Sequence, residues 1–462
     1  MAKIPAHIFR EYDIRGLADA ELTSENVELI ARAYGTWLVR NGITKATLGG
    51  DVRPSTTRIK AALAKGLLAS GVDVIDLGTT STPTFYWSFY RCDADGGIQV
   101  TGSHNPKEFN GLKVAFKKTT LWGDEIQNLL RMIEADDFVE AQTPGTLSTL
   151  DITEEYIDML AEKVTLGKRP LKVVLDYGNG TGGIYGPELF RKLGCEVIDL
   201  FKEPNGDFPN HHPDPTKREN LLSLMEAVKR EGADVGFGFD GDADRLGVVD
   251  DKGNMIVGDR LMAVYWREIL EKNPGAVAIC EVKSSMALPE DVERHGGRPL
   301  WWCAGHSLIK AKMAEQNALF SGEVSGHLFF ADEYFGYDDA FYAAERLCRV
   351  LSNEDRKLSE IMEEIPKYPS TAETRYDCPD DKKRGVVERV KEQALAEKLN
   401  VITVDGVRII YENGWGLVRI SNTQPVLVAR CEGRTAEALD EICRDMKQRL
   451  LAADSPEFEW EF

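Results

Sequence analysis

The sequence predicts a multidomain α/β protein: three domains of similar plan in tandem, followed by a smaller α+β domain. Three observations carry this expectation. At 462 residues the chain is too long for one core, since about 150 residues is a usual domain size. Short apolar strands alternate with helical segments in a unit that occurs three times. From about Pro366 the pattern changes to alternating, strand-like runs and charged helical stretches. The expected domains are residues 1–149, 150–254, 255–366 and 367–462.

The first copy of the unit opens with the apolar run Ala46 to Gly49 and the loop Asp51 to Ser55. A helical pattern from about Thr57 to Ser70 follows, then a strand from Val72 to Leu77. It ends in Gly97 to Val100, which leads into Thr101-Gly102-Ser103-His104-Asn105-Pro106. The second copy has the strand Lys172 to Asp176, a glycine-rich loop, a helix near Pro187 to Leu193 and the strand Cys195 to Leu200. It ends in Ala233 to Phe239, running straight into Asp240-Gly241-Asp242-Ala243-Asp244-Arg245. The third has a strand from Ala276 to Cys280, a helix into Arg294 and a strand from Arg298 to Cys303. Its last strand, Ala318 to Phe320, leads into Gly322-Glu323-Val324-Ser325-Gly326-His327. Ligands of α/β domains bind at the carboxyl ends of strands, so three polar loops in equivalent places are expected around one cleft.

In the remainder, Thr371 to Tyr376 is strand-like and Asp380 to Leu399 helical. Val401 to Glu412 and Leu417 to Cys431 alternate like antiparallel strands before a last helix from Thr435 to Leu450. The run Arg419-Ile420-Ser421-Asn422-Thr423 is the fourth polar loop.

Composition narrows the function. Lys and Arg number 56 against 76 Asp and Glu, a net charge of −20, which argues against a broad basic surface for nucleic acid or anionic lipid. An anionic small molecule then needs a pocket where cations converge locally. The eight scattered cysteines, with no C-x-x-C pair, read as reduced thiols of a cytoplasmic protein. No stretch approaches the roughly 20 apolar residues of a membrane span, and Met1 to Gly16 lacks the apolar core of a signal peptide. A monomer is compatible with the sequence, which does not fix the oligomeric state.

The chemistry sits in the loops. Asp240, Asp242 and Asp244 alternate, so in an extended loop their carboxylates project to one side and can share a hard cation such as Mg²⁺. A calcium EF-hand would need Gly where Arg245 stands and Glu where Asp251 stands. Arg245 can pair a phosphate or relieve carboxylate repulsion. Ser103 in a Gly/Asn/Pro turn is ordinary turn chemistry by itself, but His104 and Lys113 can stabilise or shuttle protons around a phosphoserine. Glu323 can accept from two vicinal sugar hydroxyls, with glycines allowing close approach. Arg419, Ser421, Asn422, Thr423 and Arg430 suit a non-transferring phosphate. Gly178-Asn179-Gly180-Thr181-Gly182-Gly183 satisfies G-x-G-x-x-G between strand and helix, which keeps an NAD-dependent oxidoreductase as an alternative.

Together these motifs, from Ile8-Phe9-Arg10-Glu11-Tyr12-Asp13-Ile14-Arg15-Gly16 to Arg419-Ile420-Ser421-Asn422-Thr423, resemble the α-D-phosphohexomutase family, in its phosphomannomutase/phosphoglucomutase branch. The resemblance implies three mixed-sheet, three-layer α/β domains plus a TATA-binding-protein-like domain around a central cleft. It implies that Ser103 is a phosphoserine, and that Asp240, Asp242 and Asp244 hold Mg²⁺ with Ser103 as a further ligand. Glu323 and Ser325 would then grip sugar hydroxyls, while Arg419, Ser421, Asn422 and Thr423 hold the distal phosphate. Tyr12, Arg15, Lys113, Arg245, Lys283, His306 and His327 match further active-site positions. The implied reaction interconverts hexose 1-phosphate and hexose 6-phosphate, of mannose and/or glucose, through a hexose 1,6-bisphosphate intermediate that also serves as activator. Val324 stands where methionine is common in this branch and glutamine in the glucosamine branch, so a phosphoglucosamine mutase is the nearest alternative. A metal-dependent serine phosphatase is another.

Overall fold

The computed structural model describes residues 4–421 and 425–462. The chain forms two compact units, Met1–Val257 with Ser325–Glu360, and Gly258–Val324 with Ile361–Phe462.

The first unit holds two sheets of the same plan. In one, Lys45–Gly50 lies between Asp73–Thr79 and Gly96–Val100, parallel to both. Gly96–Val100 is then paired antiparallel with Phe109–Phe116, and Ile14–Leu17 closes that side. In the other, Lys172–Asp176 lies between Glu196–Leu200 and Val235–Phe239, again parallel to both. Val235–Phe239 pairs antiparallel with Leu246–Asp250. The inner strands Gly96–Val100 and Val235–Phe239 are buried throughout, which is why they read as apolar runs. Both sheets therefore turn a buried parallel strand back on itself through a short polar loop, residues 101–108 in one and 240–245 in the other. Each loop is tied at both ends by ladder hydrogen bonds.

The helix expected near Pro187 runs over Gly182–Lys192, with Pro187 inside it. Pro187 favoured a start because proline lacks the amide an interior position uses. The glycines ahead of it are there for packing instead. A Cβ on Gly183 would lie 1.8 Å from the Lys202 carbonyl oxygen, and one on Gly186 would press on Tyr177. The expected strand 401–412 is two, Asn400–Ile402 and Val407–Tyr411, parted by a turn in which Gly406 has φ +76°. A Cβ there would meet the Val418 carbonyl oxygen at 2.2 Å.

Segment 325–360 belongs with the first unit because of its helix Ala340–Ser352. Phe341 packs against Tyr156, Tyr185 and Phe239. Asp339 caps the helix, accepting from the Phe341 and Tyr342 amides and from the Tyr156 and Tyr334 hydroxyls. Burial still raises its pKa to about 6. Glu345, six residues further on in the same helix, is fully buried, and neither carboxyl oxygen has a hydrogen-bond partner among the described residues. Burial, with Asp339 and Cys195 nearby, pushes its pKa well above the carboxylate range.

In the second unit Val277–Glu281 and Arg298–Trp302 pair in parallel. The C-terminal part is an antiparallel sheet in the order Thr374–Asp377, Val426–Gly433, Gly414–Ile420, Val407–Tyr411 and Asn400–Ile402. One face packs on the helices Asp380–Ala396 and Ala436–Ala452 through Val386, Val390, Val418, Ile442 and Met446. Because side chains alternate along a strand, Trp415 and Leu417 emerge on the other face and pack against Val282. There Arg408 lies between the rings of Trp301 and Trp415, 4.1 and 3.7 Å from their centroids. It donates to the carbonyls of Val282 and Ser284. All eight cysteines are free thiols, and no described helix is long and apolar enough to cross a membrane.

Glu345 generates a prediction. With its pKa raised in the fold above that of the unfolded chain, it holds its proton more tightly when folded, so its penalty grows as pH rises above the ordinary carboxylate range. Glu345→Gln should raise Tm at pH 8, and the gain should shrink toward pH 5 in calorimetry at the two pH values.

Candidate active site

Ser103 occupies the loop between Gly96–Val100 and Phe109–Phe116, in the left-handed region at φ +48°. Its amide donates to Thr101 Oγ1, and its Oγ donates to Asp240 Oδ2 at 2.8 Å. His104 Nδ1 lies 3.0 Å from the same Oγ. Since Oγ spends its proton on Asp240, the imidazole is the donor in the second bond. Burial, then the positive Arg245 and Arg15, holds the His104 pKa well below the usual imidazole range, so the ring is neutral.

Asp240, Asp242 and Asp244 are at most 1% exposed, and their ligand-capable atoms lie within 4.8 Å of one another. The turn that gathers them puts Ala243 at φ +59°, in the left-handed region that favours glycine. Asp240 Oδ1 accepts from the Asp244 and Arg245 amides. Asp242 Oδ2 accepts from Thr82 Oγ1 at 2.6 Å and Lys113 Nζ at 2.9 Å, and Lys113 also pairs with Asp244. Burial and the two neighbouring carboxylates push the Asp240 pKa well up. Burial acts in the same sense on Asp242, but Lys113 and Thr82 outweigh it and the net shift is downward. Burial would lower the Lys113 pKa, yet Asp242 and Asp244 raise it well above the usual lysine range. Lys113 is thus a fixed cation rather than a proton shuttle. One lysine does not balance three carboxylates, and Asp242 Oδ1 is buried without a hydrogen bond among the described residues. Buried charge of this sign in an all-oxygen donor set suits a hard divalent cation.

Arg245 Nε donates to His327 Nε2 at 3.0 Å, and His327 Nδ1 lies 3.0 Å from Asp338 Oδ2 and 3.6 Å from Asp244 Oδ1. Nε2 accepts, so the ring proton is on Nδ1, facing Asp338. Arg15 stands on Ile14–Leu17 and pairs with Asp13; Tyr12 is half-buried just before that strand. The glycine run of 178–183 supports the carboxylate loop: the Thr181 amide donates to the Gly241 carbonyl at 3.0 Å, and a Cβ on Gly180 would meet that oxygen at 2.7 Å. The backbone that a dinucleotide pyrophosphate would need is thereby filled by protein.

In the second unit, Lys283 Nζ is 2.9 Å from Glu281 Oε1 and 3.2 Å from Glu373 Oε2. Burial alone would lower the Lys283 pKa, but these carboxylates raise it. Arg419 Nε donates to Asp405 Oδ2 at 2.9 Å and stays charged although buried. Glu323 Oε1 accepts from the Gly305 amide at 2.9 Å, just ahead of the helix His306–Gln316. Arg430 donates to the Lys283 carbonyl at 2.8 Å, so it sets the position of that loop. Ser421 is buried at the end of Gly414–Ile420. Asn422 and Thr423 lie outside the described residues. Ser325, half-buried, opens the stretch assigned to the first unit.

Sequence reasoning missed Thr82, Asp338, Asp405, Glu281 and Arg53. None stands in a recognisable motif; the contacts that give them meaning lie 11 to 160 residues away in the chain, or in Arg53's case 50 or more.

This geometry, a serine against three carboxylates on α/β sheets, is that of a phosphoryl-transfer enzyme. Family models named phosphoglucomutase/phosphomannomutase match it in order: alpha/beta/alpha domain I over residues 6–140, domain II over 154–253, domain III over 257–368 and the C-terminal domain over 373–449. The chain belongs to the phosphoglucomutase/phosphomannomutase family, with its four domains in tandem. It is 42% identical over 452 residues to a phosphomannomutase/phosphoglucomutase of Pseudomonas aeruginosa, covering 98% of this chain and 97% of that protein. It is 40% identical over 462 residues to a phosphoglucomutase of Neisseria gonorrhoeae, covering 100% of both. A crystal structure of a phosphoglucomutase/phosphomannomutase family protein from Burkholderia thailandensis superposes with a TM-score of 0.93 at 38% identity, covering 100% of both chains.

The meeting of the serine and carboxylate loops depends on Gly241, where a Cβ would lie 2.6 Å from the Ser103 carbonyl oxygen. Gly241→Ala should lower kcat at least about ten-fold by misplacing the reacting groups, with an unchanged far-UV circular dichroism spectrum.

Proposed function

We propose that the protein is a phosphohexomutase, interconverting hexose 1-phosphates and hexose 6-phosphates of mannose, glucose or both. Ser103 is the phosphoryl carrier and a hexose 1,6-bisphosphate the intermediate. The observation that carries this reading is Ser103 Oγ, buried, within 2.8 Å of Asp240 and 3.0 Å of His104. In the first half-reaction the P–Oγ bond of phosphorylated Ser103 breaks as a P–O bond forms to the free sugar hydroxyl. That hydroxyl gives up its proton and Oγ gains one, so the exchange of ester for alcohol is balanced. The sugar then turns over, and its other phosphate returns to Ser103 by the reverse steps.

The chain's own groups divide the work. His104 Nδ1–H points at Oγ, where negative charge gathers as the phosphoryl group leaves. His104 and His327 are the imidazoles available to move the proton. Lys113 and Arg245 are fixed positive charges beside the carboxylates. A phosphoester on Ser103 would set phosphate oxygens against Asp240, Asp242 and Asp244, and these residues, with an ester oxygen, fit Mg²⁺. When bound, Mg²⁺ supplies neutralisation of the phosphoryl oxygens. Lys283, His306, Arg419, Ser421, Asn422 and Thr423 take the non-transferring phosphate, and Glu323 and Ser325 the sugar hydroxyls. Arg15 and Tyr12 border the transferring end. Hexose 1,6-bisphosphate restores phosphorylated Ser103 when the phosphate is lost. The free thiols fit a cytoplasmic enzyme, and one chain carries every group this chemistry needs.

Two measurements test the reading. Wild-type protein given ³²P-labelled hexose 1,6-bisphosphate should incorporate label that Ser103→Ala does not; label on Ser103→Ala at the wild-type level would contradict it, and release of inorganic phosphate matching turnover would point to a phosphatase. Mg²⁺ at about 100 times its Kd should stabilise the fold by about 2.7 kcal/mol, seen as a rise in Tm, and Asp242→Asn should abolish most of the rise.

A further inference from the structure

We propose that Arg53 is the positioning residue of the serine loop: its guanidinium is the template around which residues 101–109 set, and it holds Ser103 in the left-handed conformation that aims Oγ at Asp240. The inference rests on Ser103 being the phosphoryl carrier. Arg53 has a side chain with no exposed surface. Its five N–H donors meet five acceptors: Nε reaches Asp51 Oδ2 at 3.1 Å, Nη1 the carbonyls of Pro106 and Phe109 at 2.7 and 3.0 Å, and Nη2 the carbonyls of Ser103 and Asn105 at 2.9 and 2.6 Å. Four of the five are backbone carbonyls of residues 103–109, including that of Ser103 itself.

The surroundings leave the guanidinium one placement. Asp51 Oδ2 also accepts from the Gly102 amide at 3.0 Å, and Asp51 Oδ1 from the Arg53 amide and Thr56 Oγ1. The Asp51–Arg53 pair therefore grips the loop from both its N–H and its C=O side. A Cβ on Gly102 would lie 2.4 Å from Arg53 Nε, so only glycine lets the loop close on the cation. Phe208 covers the guanidinium, its ring centroid 5.3 Å from Cζ. A left-handed non-glycine residue is strained and persists only where its surroundings fix it, and at Ser103 Arg53 is what fixes it. Lysine, with three donors on a point charge and no planar fork, cannot reproduce the pattern.

Arg53 acts through the loop and not on the sugar, so its loss should fall on kcat and spare KM. In full-length protein, Arg53→Ala should slow labelling of Ser103 by ³²P-labelled hexose 1,6-bisphosphate about 100-fold, the effect of misplacing a reacting group by about 1 Å. kcat should fall by the same factor with KM for glucose 1-phosphate held within about two-fold, and added guanidinium chloride should recover part of the labelling rate by refilling the cavity. Arg53→Lys should slow labelling while keeping Tm closer to wild type, which supplies the reading if Arg53→Ala does not fold. Labelling at the wild-type rate in a variant whose Tm alone has dropped overturns the inference while leaving the carrier role of Ser103 intact. Absence of label on wild-type Ser103 removes both.

Discussion

Three carboxylates held out of water within one turn are the constraint around which the first unit is organised. Like charges at this separation repel, and burial removes the water that would screen them. Each neighbour answers part of that problem. Lys113 is embedded between Asp242 and Asp244, Thr82 gives its hydroxyl proton to Asp242, and the Asp244 and Arg245 amides converge on Asp240. The compensation is incomplete, and the negative charge left over suits the loop to a hard cation.

The second unit solves the opposite problem. Its buried cations are held by carboxylates, in a chain of net charge −20. Lys283 is therefore shared between Glu281 and Glu373, and Arg419 uses Nε on Asp405. Arg408 does structural work instead: stacked between two tryptophans, it fixes the carbonyls on either side of Lys283. Its cation is largely desolvated, and burial brings its pKa down to about 9. Arginine tolerates this because its flat, weakly hydrated group can stack and donate at once.

Much of this was legible in the sequence because strands and functional loops are local features. Lys172–Asp176 and Val235–Phe239 follow from apolar runs, and Asp240, Asp242 and Asp244 follow from their alternation. Supporting residues were not legible, because their meaning is a contact with distant chain: Thr82 with Asp242, Asp338 with His327, Arg53 with the carbonyls of 103–109. The glycine run of 178–183 misled for the same reason. Its spacing satisfies a nucleotide-binding pattern, while its neighbour in space is the Gly241 backbone. Pro187 and Gly406 show the limit of propensity, since tertiary packing decided both boundaries.

The two sheets of the first unit present their loops in the same manner, on a hairpin-like return from a buried parallel strand. Such a mount is modular. Anchored on both flanks, a loop can be rewritten in length or charge while the ladder beneath it stays intact, so one architectural plan can present a buried serine in one copy and three clustered carboxylates in another. Duplication followed by divergence of a handful of turn residues would suffice to assemble a multipart catalyst, with the scaffolding inherited unchanged.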